Sequence, residues 1–294
     1  MERKGIILAG GSGSRLFPLT VAVSKQLLPV YDKPMIYYSL AVLMIANIKE
    51  ILIITTPQDR AQFYRLLGDG SQWGIKLEYK VQESPDGLPQ AFILAGEFLN
   101  GAPSALILGD NIFFGSGLED FLIRANSRNK GATVFGYNVS DPERYGVATF
   151  DDEGMVRKIT EKPKNPETNI AVTGLYFVDG TATERAKTLT PSKRGELEIA
   201  DLLQGYIEAN HLYLEKLNRG FAWFDTGTNN SLLSASEFVK TLSDRQGLLI
   251  GSPDEVAFRR GWISKADLIR RSRLYANNNY GKKLQEIAQN PRGF

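Results

Sequence analysis

The sequence predicts an α/β fold in which a mostly parallel sheet is covered by helices on both faces. Short apolar runs at 5–9, 50–55, 77–81 and 105–108 read as buried strands, and helical patterns at 35–45, 60–67 and 89–99 lie between them. Composition agrees: 294 residues with 43% hydrophobic and 23% charged can bury a full core and fit one large α/β domain or one domain with a helical appendage.

The first strand runs straight into a loop containing Gly10, Gly11 and Gly13, where the backbone can turn sharply and present N–H groups to an anion. Arg15 and Lys25 follow, one a rigid fork for two phosphate oxygens and the other a point charge on a flexible stem. A polyphosphate suits that set. The spacing fits neither common phosphate loop: Gly10 is followed by Gly11 where a Walker A motif needs Lys, and a dinucleotide fingerprint begun at Gly11 puts Leu16 at its third glycine.

After about residue 131 the text changes to strands at 133–139, 147–150 and 172–177 separated by Pro-rich turns, a mixed-sheet extension able to close over a second ligand. Leu232, Ala235, Val239 and Leu242 mark one face of a helix, and short helices broken near Pro253, Gly261 and Asn277 to Asn279 complete the chain. The expected division is a core over 1–227, its first half running to about 130 and its second over 131–227, followed by a helical region over 228–294.

Thirty-five basic and 33 acidic residues leave a net charge of +2, so no broad field favours nucleic acid or a membrane surface. With no cysteine, disulfides and thiolate chemistry are excluded, and the one histidine, His211, sits at the entry to an alternating strand where a structural role is expected. A serine triad or a two-histidine metal site is hard to assemble from this inventory. The N-terminus enters a strand with no signal segment, and no apolar run is long enough to span a bilayer, so a soluble cytoplasmic protein is expected.

Lys, Arg, Asp and Glu remain, the set used for phosphoryl chemistry with a divalent metal. Asp110 ends an apolar strand after Gly109 and reads equally as a Mg²⁺ ligand or as the cap of an Asx-turn; Asp225 reads as a metal ligand or as a residue near a helix N-cap. Glu161-Lys162-Pro163 offers a carboxylate for hydroxyls and a cation for a phosphate, although such pairs are more often solvated turns.

GIILAGGSGSRL at 5–16, SKQLLP at 24–29, DKPM at 32–35, SPDGL at 84–88, LGDN at 108–111, EKP at 161–163, GELEI at 195–199 and WFDTGT at 223–228 run in order along the chain. Together they resemble the glucose-1-phosphate thymidylyltransferases among the sugar nucleotidyltransferases. The resemblance implies a Rossmann-like three-layer nucleotidyltransferase fold with a sugar-binding extension. It also implies Mg²⁺-dependent transfer of a thymidylyl group from dTTP to glucose 1-phosphate, yielding dTDP-glucose and pyrophosphate on the way to dTDP-deoxysugars such as dTDP-rhamnose. Leu8, Gly10, Gly11, Ser12 and Gly13 would hold the nucleotide, with Gln82, Pro85 and Gly87 on thymine. Arg15 would brace the departing pyrophosphate, Lys25 the triphosphate, and Asp110 and Asp225 the metal. Tyr145, Gly146, Glu161, Lys162, Val172 and Tyr176 would line the sugar-phosphate pocket.

The family resemblance further implies a homotetramer with a separate regulatory nucleotide site, although Phe114 to Leu118 lacks the histidine-bearing text of one version of it. Ser14, Pro89 and Phe224 also depart from the family text without removing a charge. Rival readings are a related enzyme using UTP or another sugar 1-phosphate, and a non-catalytic nucleotide-sugar-binding subunit.

Overall fold

The computed structural model describes residues 1–11 and 13–290. Chain order gives thirteen strands among these residues: β1 (Lys4–Ala9), β2 (Pro29–Val30), β3 (Lys33–Pro34), β4 (Glu50–Thr55), β5 (Lys76–Val81), β6 (Ser104–Leu108), β7 (Asn111–Phe114), β8 (Ala132–Asn138), β9 (Gly146–Phe150), β10 (Val156–Glu161), β11 (Ile170–Val178), β12 (Leu212–Lys216) and β13 (Ala222–Asp225). Nine of them form one sheet, along the path β10-β9-β11-β6-β1-β4-β5, with β8 pairing β11 and β12 to the side. β6, β1, β4 and β5 are parallel, and β11 joins β6 antiparallel, so the sheet is mixed where the second half of the chain begins.

The continuous apolar runs follow from burial on both faces. Ile7, Ile53 and Ile107 enter one core beneath the helix Ile36–Ile45, while Ile6, Leu52 and Leu106 enter the opposite one beneath the short helices Gln90–Leu94 and Gly96–Leu99. The single helix expected over 89–99 is thus two, interrupted at Ala95. Gly96 both weakens the helix and lets it approach Thr183, whose Cγ2 would lie 3.3 Å from any added Cβ.

A third core joins Leu16, just after the glycine loop, to Leu28, Met35, Ile112 and the helix Asn229–Gln246 through Ala235 and Val239. That packing ties the glycine loop to the long C-terminal helix. Thr228 starts the helix with a reciprocal capping box to Ser231, so the N-cap sits three residues beyond Asp225 and leaves that carboxylate free of a capping role. The final helices, Pro253–Arg259, Lys265–Leu274 and Asn279–Gln289, pack together around Asp254, which accepts from Tyr280 Oη at 2.8 Å and pairs with Arg271. Among the described residues no helix is long and apolar enough to cross a membrane.

Candidate active site

The site lies beyond the carboxyl ends of β1 and β6, where ligands collect in open α/β sheets. The glycine loop turns through a left-handed Gly13 (φ 58°), whose carbonyl accepts from Thr20 Oγ1 at 2.8 Å. The neighbouring turn at Lys25–Leu27 is pressed onto Gly109: an added Cβ there would lie 2.9 Å from Gln26 Cγ and 3.1 Å from the Leu8 carbonyl. Glycine at 109 therefore lets the Lys25 turn close onto the end of β6.

A two-stranded ribbon supplies the carboxylates. β7 and β13 pair antiparallel with Asn111 opposite Asp225, bringing together residues more than a hundred positions apart. The Asp110 carbonyl accepts from Thr226 Oγ1 at 2.8 Å and from Thr226 N at 3.3 Å, which fixes the two acidic segments to each other. Asp110 ion-pairs with Lys25 and accepts from Asn111 Nδ2 at 2.9 Å, in place of an Asx-turn. Burial, and then the charge of Asp110, hold the Asp225 carboxyl above its ordinary range against the opposing pull of Lys25 and Arg15. Arg15 reaches the same spot. A Cβ at Gly227 would lie 2.8 Å from Arg15 Nη2 and 3.0 Å from Asp225 Oδ1.

Two cavities meet here. One, of about 270 Å³, is walled by Gly10, Gly11, Gly13, Lys25 and Gly227 with Arg15 and Asp110. The other, of about 200 Å³, contains Tyr145, Gly146, Glu161, Lys162, Val172 and Tyr176, and its wall also includes Arg15, Asp110 and Asp225. Lys162 adopts a left-handed backbone (φ 43°), its N–H donating to the Tyr145 carbonyl at 2.9 Å, and its ammonium lies 3.5 Å from Glu161 Oε1. The pair folds onto the cavity wall, with the Lys162 side chain half exposed there as a solvated turn would leave it. Tyr176 is buried, and burial followed by the charge of Glu161 pushes its phenol well up, so it stays a neutral donor.

Of the residues expected on the base, Gln82 is buried beside Gly10, Pro85 is exposed, and Gly87 bridges Leu197. Leu8 lies in β1 with its carbonyl accepting from Gly109 N at 2.9 Å, and Ser12 falls outside the described residues. His211 precedes β12, where its backbone carbonyl accepts from Ala132 N at 2.8 Å.

Sequence reading missed three groups. Asn111 is buried, and its Oδ1 accepts from Trp223 Nε1 at 2.7 Å and from Gly174 N at 3.1 Å, at an irregularity in the β11 pairing between Val172 and Tyr176. Trp223 also lines the cavity that holds Glu161 and Lys162, its ring 5.1 Å from that of Tyr145. Arg194 bonds Glu198 at 2.7 Å and lies 3.9 Å from Glu161, a second cation near that carboxylate. Asn111 and Trp223 stand within LGDN and WFDTGT, whereas Arg194 is marked only as the residue before GELEI.

A larger cavity of about 420 Å³ lies between Ile36–Ile45 and Pro253–Arg259. It contains none of the loop cations or paired carboxylates just described, so volume alone does not locate the chemistry.

Residues 4–241 match the family model described as nucleotidyl transferase. A glucose-1-phosphate thymidylyltransferase of Xanthomonas campestris pv. campestris is 58% identical, over 98% of each chain. The enzyme of the same name from Mycobacterium tuberculosis is 50% identical over 97% of this chain and 99% of its own. Among solved structures, a Bacillus anthracis protein described provisionally as a glucose-1-phosphate thymidylyltransferase, in complex with sucrose, is 38% identical with a TM-score of 0.75, covering 81% of this chain and 95% of that one. With the glycine loop, the carboxylate ribbon and near-full-length identity all in accord, the chain belongs to the glucose-1-phosphate thymidylyltransferase family of nucleotidyl transferases.

Proposed function

We infer that the protein transfers a thymidylyl group from dTTP to α-D-glucose 1-phosphate, giving dTDP-glucose and pyrophosphate. One observation carries the reading: the loop cavity and the sugar-side cavity share Arg15 and Asp110, so two ligands seated in them meet at one cation and one carboxylate. A phosphate oxygen of the sugar phosphate attacks the α-phosphorus, and the bond from that phosphorus to the β-phosphate oxygen breaks. A sugar phosphate with a second pKa near ~6 is already largely dianionic at neutral pH, so no general base is required. Repulsion between anions is the obstacle, and placement plus neutralisation overcome it.

Arg15 and Lys25 serve the triphosphate and the leaving pyrophosphate. Lys162 serves the sugar phosphate, while Glu161 accepts from sugar hydroxyls. Leu8, Gly10, Gly11 and Gly13 form the nucleotide cradle, with Gln82, Pro85 and Gly87 on the base. Tyr145, Gly146, Val172 and Tyr176 complete the hexose wall.

Asp110 and Asp225 are half-buried neighbouring carboxylates, and Lys25 already occupies Asp110 as a stand-in cation. Among the described residues no cluster of three or more acidic, histidine or cysteine side chains could enclose a metal. Two hard oxygen donors beside a phosphate cavity fit Mg²⁺, which usually takes one or two carboxylates and completes its shell with phosphates and water. Bound there, the ion would supply charge neutralisation at the phosphates. The family resemblance supports a homotetramer acting in the cytoplasm, with light scattering as the check on assembly.

Pyrophosphate release with Mg²⁺ and glucose 1-phosphate, comparing dTTP with UTP and identifying the product by mass, tests the reading. Faster release with dTTP and formation of dTDP-glucose is expected. Folded protein that binds dTTP but releases no pyrophosphate with any nucleotide would instead be a binding subunit.

A further inference from the structure

Gln82 is the residue assigned to the base, yet a glutamine alone reads nothing: its amide presents a carbonyl or an NH₂ according to which way it turns. A chain of hydrogen bonds from Asp86 through Gln90 fixes the turn. The Asp86 carboxylate can only accept, and the Asp86 backbone N–H can only donate. Gln90 sits between them, its Nε2 donating to Asp86 Oδ2 at 2.7 Å and its Oε1 accepting from Asp86 N at 3.3 Å. Turning the Gln90 amide over would set donor against donor and acceptor against acceptor, so its orientation is determined by chemistry.

The Gln90 carbonyl then accepts from Gln82 Nε2. Gln82 is itself immobilised: it is buried, and its backbone N–H donates to the Thr55 carbonyl at 2.8 Å at the end of β4. With its NH₂ committed to Gln90, Gln82 leaves its Oε1 beside Gly10 of the nucleotide loop, where a Cβ would collide with it.

We propose that Asp86 and Gln90 are positioning residues that lock the Gln82 carbonyl toward the nucleotide, so that the site selects a keto pyrimidine and rejects an amino pyrimidine. The proposal rests on the reading of the loop cavity as a dTTP site. Thymine and uracil carry a donor at N3, which the fixed carbonyl accepts. Cytosine carries a lone pair at N3, which faces the same carbonyl with no hydrogen between them, and a site whose buried polar group is left unpaired discriminates strongly. A freely turning amide would accept both bases.

The test compares equilibrium binding of dTTP and dCTP with Mg²⁺, together with kcat/KM for each, in the full-length chain. Wild type should prefer dTTP by about 100-fold or more. Gln90→Leu removes the acceptor that holds Gln82, and the preference should fall by about tenfold or more, with the KM for glucose 1-phosphate unchanged. The double variant Gln90→Glu with Asp86→Asn reverses the outer hydrogen bond while keeping an acceptor facing Gln82, and should retain the preference to within about threefold. Asp86→Ala, a second route to the same loosening in case Gln90→Leu folds poorly, should lower the preference in the same direction.

An unchanged preference in folded Gln90→Leu or Asp86→Ala, or equal losses in Gln90→Leu and the Gln90→Glu/Asp86→Asn double variant, would overturn the relay. So would a wild type that binds the two nucleotides equally. A wild type that selects dTTP in binding but forms no product would overturn the catalytic reading while leaving the relay standing.

Discussion

Asp110 and Asp225 are chemically alike and adjacent, yet removing their charges should move stability in opposite directions. The Lys25 and Asp110 side chains are 8% and 16% exposed, so Asp110→Asn leaves an ammonium almost fully buried without its counter-ion. Breaking a buried pair by deleting one partner costs about 3–5 kcal/mol, and the open cavity beside this one argues for the lower end. At about 2 °C per kcal/mol for a chain of this size, the melting temperature should drop by about 6 °C. Asp225 has no ion-pair partner among the described residues, and burial together with Asp110 disfavours its charge, so Asp225→Asn should hold or raise the melting temperature at neutral pH. Turnover should nevertheless fall by about 100-fold or more in both, since each loses charge at the reacting phosphates. Thermal melts in EDTA, run beside pyrophosphate release, separate the two effects. Equal destabilisation by the two substitutions, or an Asp110→Asn protein that melts with wild type, would refute the assignment of Lys25 and Asp110 as a buried pair.

Lys162→Ala should raise the KM for glucose 1-phosphate by about tenfold while leaving that for dTTP in place, because the half-exposed ammonium serves only the sugar-side cavity; an unchanged response to glucose 1-phosphate would remove it from the site. Thr228→Ala removes the capping box of Asn229–Gln246 and should cost about 1 kcal/mol, a melting shift of about 2 °C, readable by calorimetry. Asp179 lies far from this chemistry. Burial pushes its carboxyl up, but hydrogen bonds from Thr181, Gly131 and Tyr206 outweigh it and hold the group below its ordinary range. Its stabilisation is therefore present above the ordinary aspartate pKa and lost as pH falls through the lowered one. Asp179→Asn should flatten that part of the acid limb in a plot of melting temperature against pH.

The parallel half of the fold was legible because its strands are buried on both faces and read as unbroken apolar runs, as at Ile6, Ile7 and Leu8. The glycine loop and its two cations were equally plain, since they lie within one stretch of chain. The ribbon of β7 and β13 was not: its strands have four residues each and pair across more than a hundred positions, a contact that no local period encodes. That ribbon brings Asp225 to Asp110 and Trp223 to Asn111, which is why the individual acids could be named while their partners could not. Gln90 stayed hidden for a related reason. A glutamine on a short helix has no sequence signature of its own, and its importance follows only from Asp86 on one side and Gln82 on the other.

The Lys25–Asp110 pair carries one further consequence for metal binding. The Lys25 ammonium sits on the Asp110 carboxylate, so under the proposed metal assignment a divalent ion alone would compete with a buried cation for Asp110. A triphosphate in the loop cavity would offer Lys25 a more highly charged partner and draw the ammonium away, leaving Asp110 free to hold a divalent ion under the proposed assignment. Nucleotide and metal should therefore bind with positive coupling, reciprocal by necessity and within the usual 1–3 kcal/mol, about 5- to 150-fold in affinity. Titration of Mn²⁺ as a paramagnetic stand-in, with and without a non-hydrolysable dTTP analogue, measures it directly after correction for metal bound to free nucleotide. Lys25→Met should tighten binding of the ion alone and shrink the coupling, because the competitor is gone. Independent binding of ion and nucleotide in wild type would mean that Lys25 does not guard Asp110.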